Sequence, residues 1–252
     1  MDYPSILEYV YLIVIGFIAG LINIVAGGGS LLTLPMLIFM GLSPQVANGT
    51  NRIGIIVQNV FAIKGFQSKG VPVTSFSIYL SVSALIGSLI GASFAVEIDA
   101  ELFNKILAGV MVVIVLYLIF KKNTSLTETL EKTTGKARIF SLIAFFFIGI
   151  YGGFIQAGVG FIIIATLSSL TQMSLVKSNA IKVFVVLIYT VAAVVVFALN
   201  DSISWTHGLV LAIGTSAGGW TMSRYSVKKG DGFVKVLLIL MICIMAIKLW
   251  FF

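Results

Sequence analysis

Ten apolar segments follow one another along the 252-residue chain, separated by short polar or glycine-rich breaks. They run over Ile6–Ala26, Leu31–Met40, Val46–Phe66, Val73–Val96, Leu102–Phe120, Ile139–Ile155, Phe161–Leu170, Ala180–Leu199, Trp205–Met222 and Phe233–Phe252. The apolar runs are continuous rather than alternating, which predicts helices and not the strands of a membrane barrel. Eight of the ten are long enough to cross a hydrocarbon core of ~30 Å. The second and seventh, of roughly ten residues, would reach only ~15 Å as helix. They are predicted to be half-helices, broken spans or re-entrant segments. The expected fold class is an all-α polytopic membrane protein with eight long spans and two short segments.

The order of segments repeats. Gly16-Phe-Ile-Ala-Gly20-Leu-Ile-Asn23 aligns with Gly149-Ile-Tyr-Gly-Gly153-Phe-Ile-Gln156. Ala26-Gly27-Gly28-Gly29 then meets Ala157-Gly158-Val159-Gly160, and a short apolar segment follows each. Ser43 to Arg52 faces Ser174 to Lys182, and Gly87-xxx-Gly91 faces Gly214-xxx-Gly218. An agreement in one order over nearly the whole chain reads as an internal duplication. The domain expectation is a first membrane repeat over 1–120, a cytoplasmic linker over 121–138 and a second membrane repeat over 139–252.

Charge orients the halves. The loop after the third segment carries Lys64 and Lys69, and its counterpart carries Asp201. The loop after the fourth carries Glu97, Asp99 and Glu101, whereas its counterpart carries Arg224, Lys228 and Lys229. Equivalent loops of opposite charge fall on opposite sides of the membrane by the positive-inside rule, so the repeats are expected to be inverted. The linker then lies in the cytoplasm and both termini outside. This needs an odd number of crossings per half, so the short segments are expected to help complete a crossing.

Composition narrows the function. The chain is 59% hydrophobic and 10% charged, with mean hydropathy +1.12. This excludes a soluble enzyme. The net charge of +7 would suggest nucleic acid in a soluble protein, but cytoplasmic loops of membrane proteins collect the same residues, so no nucleic-acid partner is expected. The partners expected are a small anionic substrate and the lipid bilayer; a homodimer is compatible with the sequence but not required by it. A lone Cys243 and a lone His207 hold no metal cluster, so neither metal nor cofactor is expected. Asp2 and Glu8 replace the positive n-region of a signal peptide, and an uncleaved first span fits better. Tyr3, Trp205 and Trp250 read as interface anchors.

All nine carboxylates lie at segment ends or in loops. Intramembrane aspartyl proteolysis and carboxylate proton relays are therefore not expected. Two cations behave differently. Arg52 lies one and a half to two turns inside the third segment, and Lys182 occupies nearly the same place in the second half, in the eighth. Asn48, Thr50, Asn51, Gln58 and Asn59 surround the first, and Ser178, Asn179 and Tyr189 the second. A charge at the bilayer centre costs ~2.5–3.5 kcal/mol on insertion scales, so an anionic ligand or a water-filled cavity would supply compensation. The bland alternative is that both side chains snorkel to the interface. The glycine motifs Gly27-Gly28-Gly29-Ser30 and Gly158-Val159-Gly160 would open half-helices whose positive N-terminal ends face an anion. Plain close packing is the alternative there, and for the four Gly-xxx-Gly pairs it is the preferred reading.

At these residues the chain resembles the sulfite exporter TauE/SafE family. The resemblance rests on Gly16-Phe-Ile-Ala-Gly20 followed by Ala26-Gly-Gly-Gly-Ser-Leu-Leu-Thr-Leu-Pro35, and on Gly41-Leu-Ser-Pro44 and Ala47-Asn-Gly-Thr-Asn-Arg52. In the second half Gly149-Ile-Tyr-Gly-Gly153, Ala157-Gly-Val-Gly160 and Asn179-Ala-Ile-Lys182 carry it. Phe161 stands where another glycine is common in the family, and Ile181 where a threonine is common. The resemblance implies a bacterial inner-membrane transporter of sulfite, sulfonates or related organosulfur anions.

The candidate substrate-binding set is Gly27, Gly28, Gly29, Ser30, Asn48, Thr50, Asn51, Arg52, Gln156, Gly158, Gly160, Ser178, Asn179 and Lys182. Arg52 and Lys182 would supply charge, the polar side chains hydrogen bonds, and the backbone amides dipoles. The leading reading is a secondary transporter with alternating access. A passive anion channel or a non-transport membrane scaffold are the alternatives, and enzyme chemistry is not expected. On sequence grounds, Arg52→Ala is expected to abolish anion binding and leave the fold intact.

Overall fold

The computed structural model describes residues 6–120 and 131–251. Every regular element among them is a helix: α1 Ile6–Val25, α2 Ser30–Phe39, α3 Pro44–Gln67, α4 Ser75–Glu97, α5 Ala100–Phe120, α6 Gly135–Phe154, α7 Val159–Thr171, α8 Leu175–Leu199 and α9 Trp205–Phe251. Tyr3, most of the linker (121–130) and the side chain of Trp250 lie outside the described residues.

Two expectations are corrected. Among the described residues four helices, α1, α4, α6 and α8, are long and apolar enough to cross a membrane, where eight long spans are expected. α3 is as long as these at 24 residues, but its inward face is loaded with Asn48, Thr50, Asn51, Arg52, Gln58 and Asn59, which dilutes its hydropathy. The ninth and tenth segments are not separate: they form one 47-residue helix, α9. Arg224, Lys228 and Lys229 thus lie on a helix rather than in a loop. The reason is local. No proline interrupts 205–251, and Lys and Arg are good helix formers, so polarity alone does not end the helix. The short segments are short as expected, with α2 at 10 residues and α7 at 13.

Helix starts are set by local chemistry. Ser43 caps α3 by accepting from the Val46 N–H, with Pro44 at the first helical position. Ser174 caps α8 in the same way through the Lys177 N–H. Thr74 and Ser77 form a reciprocal capping box at α4.

The helices pack through small residues. On α4 the large side chains Val82, Ile86 and Phe94 point outward, while Ala84, Gly87, Ser88, Gly91 and Ala95 are buried. This is the reverse of a soluble helix and suits a lipid-facing surface. Gly87 and Gly91 of α4 receive the carbonyls of Phe146 and Ile150 of α6, and Gly149 and Gly153 of α6 receive those of Ala84 and Ser88 of α4. The same exchange joins α1 to α9: Gly214 and Gly218 receive the carbonyls of Ile13 and Phe17, and Gly20 receives that of Thr215. Each Gly-xxx-Gly pair of one half therefore packs against a pair of the other, which is the close-packing reading of these motifs. A Cβ on Gly91 would stand 1.9 Å from the Ile150 carbonyl oxygen. Gly91→Ala is expected to push α4 off α6 and cost ~1–3 kcal/mol or more, read as a lower melting temperature in detergent. An unchanged melting temperature would mean that this contact is not a tight one.

Candidate functional site

The centre of the molecule is where α1 and α6 break. After Val25, Gly27 turns the chain at φ 79°, and α2 starts at Ser30. After Phe154, Gln156 and Gly158 take φ 62° and 71°, and α7 starts at Val159. Glycine adopts such angles without steric cost. Gln156 does not, and a left-handed residue with a side chain costs roughly 1–2 kcal/mol. Its side chain is held at both ends: Oε1 accepts from Arg52 at 2.7 Å and Nε2 donates to Thr190 Oγ1 at 3.1 Å. The Tyr151 hydroxyl, which donates to the Ala157 carbonyl, ties the turn back to α6.

The two breaks touch. A Cβ on Gly27 would lie 2.2 Å from Gly160 Cα, and one on Gly160 would lie 2.3 Å from Gly27 Cα. The starts of α2 and α7, with their positive dipole ends, therefore meet backbone to backbone.

Arg52 and Lys182 are 0% and 3% exposed, the two buried charged side chains among the described residues. Neither snorkels. Arg52 donates to the carbonyls of Gly152 at 3.0 Å, Gly153 at 2.6 Å and Phe154 at 3.5 Å, and to Asn48 Oδ1 at 3.3 Å. Its guanidinium also lies 4.7 Å from the Phe197 ring centroid. Lys182 donates to the carbonyls of Asn23 and Ile24 and to Asn179 Oδ1, each at 2.7 Å. Each cation thus caps the C-terminal end of the broken helix in the other half: Arg52 of α3 caps α6, and Lys182 of α8 caps α1. Carbonyls orphaned at a helix end, and the negative end of the dipole, favour a cation there. These carbonyls supply compensation that the sequence assigns only to an anion or a water-filled cavity. Every carboxylate with a described side chain is exposed, so none competes for either cation.

The remaining candidates divide. Asn51 sits between α2 and α3, accepting from Thr33 Oγ1 at 2.6 Å and donating to Ser30 Oγ at 3.1 Å. Asn48 donates to the Phe154 carbonyl at 2.7 Å and so helps Arg52 close α6. Ser178 Oγ and Asn179 Nδ2 are buried without partners. Thr50 lies elsewhere: its hydroxyl accepts from the Ser204 N–H at 2.8 Å, at the start of α9. Sequence spacing places Thr50 near Arg52 along the chain, but helix rotation points it to another neighbour.

A small cavity lies beside the glycine contact, lined by Asn23, Ser30, Asn59, Gln156, Gly160 and Lys182, with Ile55, Val159 and Val186 as its apolar wall. It has room for about one water molecule. Of the candidate residues, Ser30, Gln156, Gly160 and Lys182 line it together. Asn23 and Asn59 are additions. Asn23 is the repeat partner of Gln156, and that pairing is the signal that could have found it. Asn59 lies on the same helical face as Arg52, two turns on.

The model of the family described as Sulfite exporter TauE/SafE matches residues 12–249. A probable membrane transporter protein of Sinorhizobium sp is 27% identical over 239 residues, covering 95% of this chain and 91% of the relative. One of Haemophilus influenzae is 27% identical, covering 93% and 91%. The probable membrane transporter protein YfcA of Escherichia coli strain K12 is 26% identical, covering 93% and 87%. No solved structure matches significantly.

Proposed function

We propose that this chain, which belongs to the sulfite exporter TauE/SafE family, carries small sulfur-containing anions, such as sulfite or an organic sulfonate, across the bacterial inner membrane. That it is a multi-pass membrane transporter follows from the family and its relatives. The anion class, the alternating-access mechanism and the membrane side of each loop are our reading. The observation that carries it is the meeting of two broken helices at Gly27 and Gly160 beside a cavity holding an ammonium and several hydrogen-bonding groups but no carboxylate. Such a site attracts oxyanions by charge and by helix dipole.

The exchange of Gly-xxx-Gly packing between the halves, and the exchange of cation caps, are contacts that two repeats over 1–120 and 139–252 would make, and that these repeats are inverted is our reading of their charge. The linker over 121–138 would face the cytoplasm and both termini the outside. Transport would proceed by one repeat rocking against the other, separating the glycine contact on one side at a time. The cavity, with room for about one water, corresponds to a closed state, and separation of the tips would admit the anion.

Purified protein in liposomes tests this with a panel of sulfite, thiosulfate, sulfate, sulfoacetate, toluene sulfonate and chloride. Saturable uptake of a sulfur anion is expected. Uptake that does not saturate, accompanied by single-channel currents, would replace the transporter by a passive channel. No flux of any anion would remove the anion class.

A further inference from the structure

The two halves offer matching positions but not matching space. Lys182 lines the cavity and Arg52 does not. Seven residues beyond each cation stands a second polar residue, Asn59 on α3 and Tyr189 on α8. They are 1% and 0% exposed, and each has a polar atom without a partner, Asn59 Nδ2 and the Tyr189 hydroxyl. Only Asn59 reaches the cavity. The end of the Tyr189 ring lies against Gly152, where an added Cβ would stand 2.8 Å from Cζ. The next pair behaves alike. Ser30 lines the cavity, whereas Phe161, its counterpart after the glycine motif, lies against Gly28, with 2.8 Å from an added Cβ to Cε2. Where one half sets an amide and a hydroxyl on the cavity, the matching positions of the other carry rings packed against Gly152 and Gly28.

We infer that the substrate oxyanion is held at one place only, on the Lys182 side, with Asn59 Nδ2 and Ser30 Oγ as direct donors, and that Arg52 is a positioning residue rather than a second contact. A buried amide N–H left unpaired is costly, and Asn59 shares with Lys182 a cavity lined by no carboxylate, so an anionic acceptor there pairs the amide, while the ammonium, its three N–H spent on carbonyl oxygens, contributes charge alone. Arg52 acts through other groups: it closes the end of α6 and orients Gln156, which lines the cavity. Asn51 in turn fixes Ser30 from behind. This inference rests on the transporter reading above.

The test is the KM for radiolabelled sulfite, sulfoacetate and toluene sulfonate in liposomes carrying the wild type, Asn59→Leu, Asn59→Asp or Tyr189→Phe. Asn59→Leu removes the orphaned donor at similar volume. Its KM is expected to rise about tenfold or more while the melting temperature stays level or rises, because an unsatisfied buried group is gone. Asn59→Asp, should the leucine variant not fold, sets a carboxylate against the anion and is expected to raise the KM by at least as much. Tyr189→Phe is expected to leave the KM within about twofold of wild type, a change below one hydrogen bond in free energy. A wild-type KM in both Asn59 variants would overturn the inference and leave the transporter reading intact. A KM raised as much by Tyr189→Phe as by Asn59→Leu would also overturn it, by restoring twin sites. No saturable uptake by the wild type would overturn both readings together.

Discussion

Arg52→Ala is expected to abolish transport and to destabilise the protein in the same stroke. The guanidinium hydrogen-bonds the carbonyls of Gly152, Gly153 and Phe154, together with Gln156 Oε1 and Asn48 Oδ1. Alanine leaves these acceptors buried and unsatisfied, at ~1–3 kcal/mol for a single orphaned group and less than additively for several. Even ~3 kcal/mol is a large part of a typical stability of ~5–15 kcal/mol. The expectation from sequence alone, lost binding in an intact fold, is revised accordingly. Gln156 would also lose the contact that holds its left-handed backbone in place. Arg52→Lys separates the roles. An ammonium can cap a helix end, as Lys182 does at α1, but it lacks the planar fork that reaches α6 and Gln156 together. Part of the stability is expected to return, with transport still well below wild type. Melting temperature and uptake measured on the same preparations check this. A wild-type melting temperature in Arg52→Ala would refute the capping role, and wild-type uptake would remove this cation from the mechanism.

Gly160→Ala is expected to reduce transport below detection. Its new methyl would lie 2.3 Å from Gly27 Cα, where carbon atoms in contact sit at ~3.5–4.0 Å. The obstacle is backbone, so no side chain can swing aside. The tips of α2 and α7 would have to separate by more than 1 Å, and the closed state with its small cavity could not form. Gly160 does not have the positive φ of Gly27, so alanine adds no backbone strain there and the variant isolates the steric effect. Gly27→Ala adds a left-handed residue, roughly 1–2 kcal/mol more, and is expected to be the less stable of the two. Uptake at wild-type rate in Gly160→Ala would mean that the glycine contact is not part of the transport cycle.

Much of this arrangement is written locally. The run of apolar residues locates α1 to α8 to within a few residues, because insertion in lipid demands long continuous hydropathy and little else. The glycine motifs mark both helix breaks, since Gly27 and Gly158 take angles that side chains disfavour. The depth of Arg52 and Lys182 singles them out as buried cations. The join within α9 was not legible, because a charged stretch without proline continues a helix as well as it interrupts one.

What the sequence by itself determined is the class: a helical membrane protein with two short segments, two glycine breaks and two buried cations in a repeated order. What only the tertiary structure decided is where those cations go. Arg52 meets Gly152 across 100 residues of chain, and Lys182 meets Asn23 across 159. Hydropathy and spacing act over a few turns, whereas the partner of a buried charge is set by which helix end packs beside it. The same long-range packing turns Thr50 away from the cavity, brings Asn59 to it, and sets the rings of Tyr189 and Phe161 against Gly152 and Gly28.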